Sequence, residues 1–103
     1  MRGLFMRFSA LLETASIKIL LYLYENGKVR HKDLTKLIGS RGTLSLNIKE
    51  LQEELLIQRS ILTTKPIQAY YSLTKKGKEI AFLLRKIEKI EETDAFLETV
   101  VSA

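Results

Sequence analysis

The sequence of 103 residues contains no cysteine and no tryptophan, and it has a single histidine and a single proline. Without cysteine the chain cannot form disulfides, thiol nucleophiles or zinc sites of the Cys type. His31 has no partners for a catalytic or metal-binding cluster, and its position beside Asp33 favours a capping or phosphate contact. The sequence therefore predicts a protein that is not an enzyme and holds no metal or cofactor.

Long apolar runs are also missing. The longest, Ile19 to Tyr24, is far shorter than the roughly 18 residues that a membrane span needs. Met1 to Arg7 has the basic flank of a signal peptide, but Arg7 and Glu13 interrupt the apolar stretch. We therefore expect a cytoplasmic protein without a membrane partner.

Charge is distributed unevenly along the chain. Lys and Arg number 17 against 12 Asp and Glu, a formal net charge of +5, which favours an acidic partner and nucleic acid above all. Residues 1 to 87 hold 16 basic and 7 acidic residues, whereas residues 88 to 103 hold 1 and 5. We expect the basic body to meet the partner while the acidic end points elsewhere.

Apolar spacing and turn residues predict one domain over 1–103 that is mainly helical. In order, we expect a helical arm within 1–13, a helix over 14–25, a brief edge strand over 28–30, helices over 32–38 and 40–54, strands over 57–63 and 68–73, and a terminal helix over 75–103 that Thr74 caps and that breaks near Thr93 and Asp94. The helix over 14–25 is apolar on two faces, which predicts burial by the domain core and by another chain.

Three stretches carry a family resemblance: GTLSLNIKEL at 42–51, LIQR at 56–59 and YSLTKKG at 71–77. They resemble the winged helix-turn-helix transcriptional regulators of bacteria and archaea, in particular the MarR-, HxlR- and PadR-like groups and the small regulators of archaea and archaeal viruses. The resemblance covers residues 14–85. It implies a mainly α (α+β) fold with a helix-turn-helix and a small β-hairpin wing over 14–74, extended terminal helices, and DNA-binding function.

Two residues depart from the family pattern. Leu46 stands where relatives often carry a basic or polar residue, so it either contacts a thymine methyl group or packs within the protein. Leu55 stands where a glycine commonly ends the reading helix, which puts the usual geometry of that helix end in doubt.

The polar side of the 40–54 helix has the chemistry of a DNA-reading surface. Arg41 suits a guanine edge, Asn47 suits adenine, and Thr43 and Ser45 suit phosphates or bases. The full predicted DNA-binding set is Arg30, Lys32, Ser40, Arg41, Thr43, Ser45, Asn47, Lys49 and Lys65. The alternative is that these are solvated polar residues on a surface helix.

The terminal helix predicts a homodimer. Ile80, Leu83, Ile87 and Ile90 follow the 3-4 spacing of a helix-packing seam, and Phe5 and Phe8 of the arm add apolar surface. The alternative is a helix that packs on its own domain.

These features predict a homodimeric repressor that binds double-stranded DNA sequence-specifically at an inverted repeat, with reading helices about 34 Å apart. No residue pattern demands a small-molecule effector. Two other functions stay open: a non-specific, architectural DNA-binding protein, and a winged-helix module that binds a protein through Leu46 and the apolar helices.

Overall fold

The computed structural model describes the backbone of residues 8–63 and 65–101, with side chains over 10–63 and 65–92. Within these ranges the chain forms five helices and three strands. In order they are α1 (Phe8–Leu11), α2 (Ala15–Asn26), β1 (Val29–Arg30), α3 (His31–Ile38), α4 (Arg41–Glu53), β2 (Ile57–Leu62), β3 (Gln68–Leu73) and α5 (Lys75–Val101). This order confirms the winged helix-turn-helix arrangement expected from the sequence.

Helix α2 runs through the centre of the core. It packs on α3, α4 and β3, and it also packs on α5. At the contact with α5, Tyr24 and Phe82 lie with ring centroids 6.5 Å apart, and Glu25 pairs with Arg85 at 2.8 Å. The same chain therefore covers both apolar faces of α2, contrary to the expectation that a second chain covers one of them.

Helices α3 and α4 form the helix-turn-helix. At the start of α3, the backbone N–H of Arg30 donates to the Asp33 carboxylate at 3.1 Å. The helix ends at Gly39, which has a left-handed φ of +77°. Glycine adopts this conformation without steric cost because it has no Cβ atom. Ser40 then caps α4 as predicted, because its hydroxyl accepts the N–H of Thr43 at 3.3 Å.

The hairpin of β2 and β3 forms the wing. The two strands pair antiparallel with Ile57 opposite Leu73. Strand β1 joins the other edge of β3, with Val29 opposite Tyr71, so the strand order is β1-β3-β2. This confirms the brief edge strand. Since side chains alternate along a strand, buried Tyr71 faces the core and Tyr70 belongs to the outer face.

Helix α4 ends in a left-handed turn. Glycine is the usual residue at such a position, but here the residue is a leucine. Leu55 has φ +60°. Its N–H donates to the carbonyl of Gln52 at 3.0 Å, and the N–H of Leu56 donates to the carbonyl of Leu51 at 2.9 Å. These two bonds form a Schellman motif, so the usual helix-end geometry is kept. A leucine in this conformation costs roughly 1–2 kcal/mol relative to glycine.

The start of α5 is attached to this turn. The Thr74 hydroxyl accepts the N–H of Gly77 at 3.0 Å, which confirms the predicted cap, and it donates to the carbonyl of Leu55 at 2.6 Å. A Cβ atom on Gly77 would lie 1.9 Å from the carbonyl oxygen of Leu56. Glycine is therefore required because of this close backbone contact.

Helix α5 continues without interruption from Lys75 to Val101. The break expected near Thr93 and Asp94 is wrong. Each of these residue types lowers helix propensity by less than about 0.7 kcal/mol, and neither glycine nor proline follows them before Val101 to end the helix.

The arm is described from Phe8 onwards, where α1 occupies one turn, and residues 1–7 lie outside the described residues. Among the helices of the described part of the chain, none is long and apolar enough to cross a membrane.

Candidate nucleic-acid interface

The orientation of α4 follows from three buried leucine and isoleucine side chains. Leu44, Ile48 and Leu51 lie at i, i+4 and i+7, and all are at most 5% exposed. They fix one face of the helix to the core. The opposite face of its first turns presents exposed Gly42, Thr43, Ser45, Leu46 and Lys49 to solvent.

The N-terminal part of α4, Arg41 to Lys49, differs in charge from the end of the helix. It contains the two cations Arg41 and Lys49 and no acidic residue, whereas Glu50 and Glu53 lie in the last turn and Glu54 follows the helix. The N-terminal end of a helix also carries the positive end of its dipole. The N-terminal part of α4 is therefore electropositive, and its last turn is electronegative.

Asn47 does not lie free on the exposed face. It is half-buried, and its side-chain oxygen accepts a short hydrogen bond from the Ser16 hydroxyl on α2. Its amide nitrogen donates to the Thr43 carbonyl at 2.7 Å. The sequence predicts that Asn47 suits adenine, whereas in the structure both ends of its amide bind within the protein. Helical spacing alone could not reveal this, because Ser16 lies 31 residues away.

Leu46 is 57% exposed. Of the two roles expected for it, packing within the protein is therefore wrong. It lies on the open face between Thr43 and Lys49 and presents an apolar side chain to solvent there.

The predicted cations outside α4 lie on other surfaces. The Arg30 guanidinium lies 5.8 Å from the centroid of the Tyr70 ring, on the outer face of the sheet, and Lys28 lies 5.6 Å from the same ring. Lys32 is exposed in the first turn of α3, and Lys65 is exposed in the loop of the wing. Arg30, Lys32 and Lys65 thus belong to three different parts of the fold, which are β1, α3 and the loop of the wing.

The end of the wing is more apolar than the sequence analysis suggested. Ile61, Leu62 and Ile67 are 50%, 42% and 74% exposed, and Lys65 is the cation between them. The apolar residues on both sides of the Lys65–Pro66 turn are visible in the sequence and indicate this apolar surface. Thr64 lies outside the described residues.

The residues predicted for the dimer interface divide into two groups. Ile80 is partly buried against the core of its own chain, and Ile87 is half-buried. Leu83 and Ile90 are 56% and 60% exposed. They lie seven residues apart and therefore on one edge of α5. Phe5 and the Phe8 side chain lie outside the described residues.

No group of three His, Cys, Asp or Glu side chains in the described ranges has the arrangement of a metal site. His31 stacks obliquely on Tyr71 with ring centroids 5.9 Å apart. Its carbonyl accepts a hydrogen bond from the Thr35 hydroxyl at 3.1 Å. These contacts give His31 a structural role at the start of α3.

Comparison with known proteins agrees with this architecture. The model of the HxlR-like helix-turn-helix family matches residues 13–98. The uncharacterized HTH-type transcriptional regulator YvaP of Bacillus subtilis (strain 168) is 31% identical over 75 residues, which cover 71% of this chain and 69% of that protein. The HTH-type transcriptional regulator YodB of the same strain is 25% identical over 72 residues, which cover 68% of this chain and 64% of that protein.

The solved structures show the same fold. Diamide-treated YodB from B. subtilis matches with a TM-score of 0.65 at 22% identity, over 86% of this chain and 95% of that chain. Because the family model covers most of the sequence and the described fold is the winged one, the chain belongs to the HxlR-like helix-turn-helix family and is a DNA-binding transcription regulator.

Proposed function

We propose that this regulator is a homodimeric repressor that binds an inverted repeat with α4 of each protomer in the major groove. The observation that carries the proposal is the open face of the N-terminal part of α4, which combines basic and small polar residues with exposed Leu46, has no acidic residue and is anchored to the core from behind. A recognition helix contacts base edges through its N-terminal residues, so this part fits the groove.

The residues of α4 have different proposed roles. Arg41 donates two hydrogen bonds to the edge of a guanine. Thr43 and Ser45 contact phosphates or base edges, and Lys49 contacts a phosphate. Ser40 fixes the start of the helix through its bond to the Thr43 N–H. Asn47 acts as a positioning residue, because its amide ties α4 to Ser16 of α2.

Contacts to the DNA backbone come from the surrounding cations. Arg30, Lys32 and Lys65 are exposed, and each lies on a different element next to the helix-turn-helix or in the wing. Such contacts give affinity without sequence preference and make binding sensitive to salt. Arg30 would contact the duplex from the outer face of the sheet, where its guanidinium lies over the Tyr70 ring.

The dimer forms through α5 of the C-terminal segment, 75–103. Support comes from Leu83 and Ile90, which leave an apolar edge of this helix uncovered by its own chain. Two-fold pairing along this edge gives an isologous interface. It places two reading helices about 34 Å apart on one side of the duplex, and such a dimer blocks the bound promoter. The cytoplasm, where the duplex is found, is the proposed location.

The test is selection of binding sites from a random duplex library, followed by titration of selected and scrambled duplexes at several salt concentrations. We expect an inverted repeat with half-sites about 10 base pairs apart and a preference that persists as salt is raised. Binding that ignores sequence and collapses with salt would show an architectural protein instead. Failure to bind any duplex at low salt would contradict both DNA-binding roles.

Arg41→Ala tests the reading helix. We expect a loss of about 1–3 kcal/mol at one base pair of each half-site, with the free energy of unfolding unchanged. Lys75→Ala is the matched control, because Lys75 is an exposed cation on α5 beyond the far end of α4. Equal affinities of wild type and Arg41→Ala on every duplex would remove α4 from the interface.

Replacement of both Leu83 and Ile90 by Glu tests the dimer. Since the two side chains are exposed, the fold should tolerate the change, and sedimentation should show a monomer. Glu92→Lys alters charge on another part of α5 and should leave the dimer intact. An unchanged dimer of the double variant would place the interface elsewhere.

A further inference from the structure

Two residues on the open face of α4, Gly42 and Leu46, have no role among the DNA contacts proposed above. They lie four residues apart and are therefore neighbours on the helix surface. Leu46 stands two residues from both buried Leu44 and buried Ile48, which at about 100° per residue is about 200° around the helix from each. Its side chain therefore points away from the core, in the direction from which a partner approaches α4.

Leu46 is an apolar side chain in polar surroundings. It is 57% exposed, and within residues 41–49 it is the one exposed residue with a large apolar side chain. Its neighbours on the helix surface include exposed Thr43 and Lys49. A lone leucine does not make the contiguous apolar patch that marks a protein-binding surface. The electropositive surroundings favour DNA as the partner that Leu46 meets.

Gly42 is a glycine that the fold itself does not require. It lies in the first turn of α4, where glycine is less favourable for a helix than every other residue type except proline. Its φ is not positive, and a Cβ atom on it would meet no other atom within 4 Å. No contact within the chain therefore accounts for a glycine here. A glycine on an open helix face leaves room for a partner to approach the backbone closely.

The chemistry of Leu46 restricts which part of a duplex it can contact. Leucine cannot donate to a phosphate oxygen, and covering that oxygen would remove its hydration without replacing it. Among the base edges of the major groove, the apolar group is the C5-methyl group of thymine. Cytosine presents an amino donor to this groove, and leucine would leave that donor unpaired. Thymine is therefore the base that matches Leu46.

We propose that Leu46 covers the C5-methyl group of a thymine in each half-site, and that Gly42 leaves the space beside it for the edge of the duplex groove. Leu46 is then a specificity-determining residue that selects thymine over cytosine and over uracil. This inference rests on the proposed function, because it requires α4 to lie in the major groove.

The test replaces each thymidine of the selected half-site in turn by deoxyuridine, at the same position of both half-sites. Deoxyuridine lacks the methyl group and keeps every hydrogen-bonding group of the base. In fluorescence anisotropy with the full chain, we expect one or two positions at which binding weakens about fourfold per half-site, the value of one buried methyl group. Substitution of the other thymidines should leave the affinity unchanged.

Leu46→Ala tests whether this leucine is the source of the effect. We expect the variant to bind the thymidine duplex at least fourfold more weakly per half-site and to bind the deoxyuridine duplex equally well. Leu55→Ala is the matched control, because Leu55 is a leucine that is 68% exposed at the far end of α4. It should keep the affinity and the thymine preference of wild type. A Leu46→Ala variant that retains the preference would overturn the assignment.

Gly42→Ala tests the space beside the leucine. The added methyl group meets nothing in the free protein, so the variant should fold at least as stably as wild type. On the selected duplex it should bind at least fivefold more weakly, because the methyl group occupies the space that the duplex needs. Unchanged or tighter duplex binding would overturn the role of Gly42.

The outcomes separate this inference from the function on which it rests. Sequence-specific binding that is indifferent to deoxyuridine at every position, or a selected half-site without thymine, would overturn the thymine contact and leave the proposed function intact. Absence of sequence-specific duplex binding would contradict the proposed function and this inference together.

Discussion

The two ends of α4 are built in opposite ways. The first end is capped from its own chain segment by Ser40, carries basic and small polar residues, and has an open face around Gly42. The last end is acidic and is attached to the start of α5. The hydroxyl of Thr74, the residue that caps α5, donates to the Leu55 carbonyl at 2.6 Å. The Lys76 ammonium donates to the Glu54 carbonyl at 3.1 Å.

This difference separates binding from stability along a single helix. The open end leaves its side chains free for a partner, and the closed end joins the helix-turn-helix to α5. Because one end is solvated and the other is crowded, the same kind of substitution should have opposite consequences at the two ends. The following predictions test that contrast.

The largest contrast is between two glycines. Gly77→Ala should lower the free energy of unfolding by roughly 3 kcal/mol, because its new Cβ would lie 1.9 Å from the Leu56 carbonyl oxygen and the backbone would have to shift. Gly42→Ala should raise it by about 0.5 kcal/mol, since nothing lies within 4 Å and alanine is the better helix former. Urea denaturation followed by circular dichroism measures both, and equal effects would refute the contrast.

Removal of the helix cap at the closed end, Thr74, should cost more stability than removal of the cap at the open end, Ser40. Thr74→Val keeps the shape of the side chain but removes both hydrogen bonds of its hydroxyl, which should cost about 1–2 kcal/mol of unfolding free energy. Ser40→Ala removes one longer bond of 3.3 Å and should cost roughly 0.5–1 kcal/mol. Thermal unfolding of both variants under one condition checks this order, and a larger loss in Ser40→Ala would reverse it.

Charge substitutions should separate the N-terminal part of α4 from its last turn in DNA binding. Lys49→Ala should weaken binding to all duplexes by about 1 kcal/mol and reduce the salt dependence by about one charge. Glu53→Ala should leave affinity unchanged or strengthen it by a few tenths of a kcal/mol, because it removes a repulsive charge from the last turn. Fluorescence anisotropy at several salt concentrations measures both slopes. A loss of affinity in Glu53→Ala would place the last turn in the interface.

The smallest effect concerns the left-handed residue at the closed end. Leu55→Gly should raise the free energy of unfolding by about 0.5 kcal/mol, because relief of the left-handed leucine exceeds the greater chain entropy of glycine. Leu55 is 68% exposed, so little packing is lost. Leu55→Ala, which keeps a Cβ atom, is the control and should not stabilise. A lower free energy of unfolding in Leu55→Gly would show that the leucine side chain stabilises the fold despite its exposure.

Much of the fold was predictable because its signals are local. Gly39 and Ser40 mark a helix end and a helix cap within two residues, and each works through its own backbone or the next turn. The β-branched runs on either side of Pro66 predict the hairpin in the same way. Helix α5 was predicted less well, because Thr93 and Asp94 resemble a break that the intrinsic helix propensity of their neighbours overrides.

The candidate site was only partly predictable, because its residues depend on contacts between distant segments. Asn47 has the side chain of a base-reading residue, but its amide oxygen accepts a hydrogen bond from the Ser16 hydroxyl of α2. Arg30 belongs to the predicted DNA-binding set, and in the structure its guanidinium lies over the Tyr70 ring on the outer face of the sheet, a contact between distant segments. A helical period identifies which residues share a face, and it does not identify what lies against that face.

The sequence by itself determined the order of the elements, the caps of α4 and α5, and the apolar stripe that turns the basic part of α4 outwards. These depend on periodicity and on hydrogen bonds within one or two turns, which a single chain segment specifies. The tertiary structure alone decided that α5 covers the second face of α2, that Leu55 adopts a left-handed conformation, and that Ser16 of α2 binds the Asn47 amide. Each of these results from packing between segments far apart in the sequence.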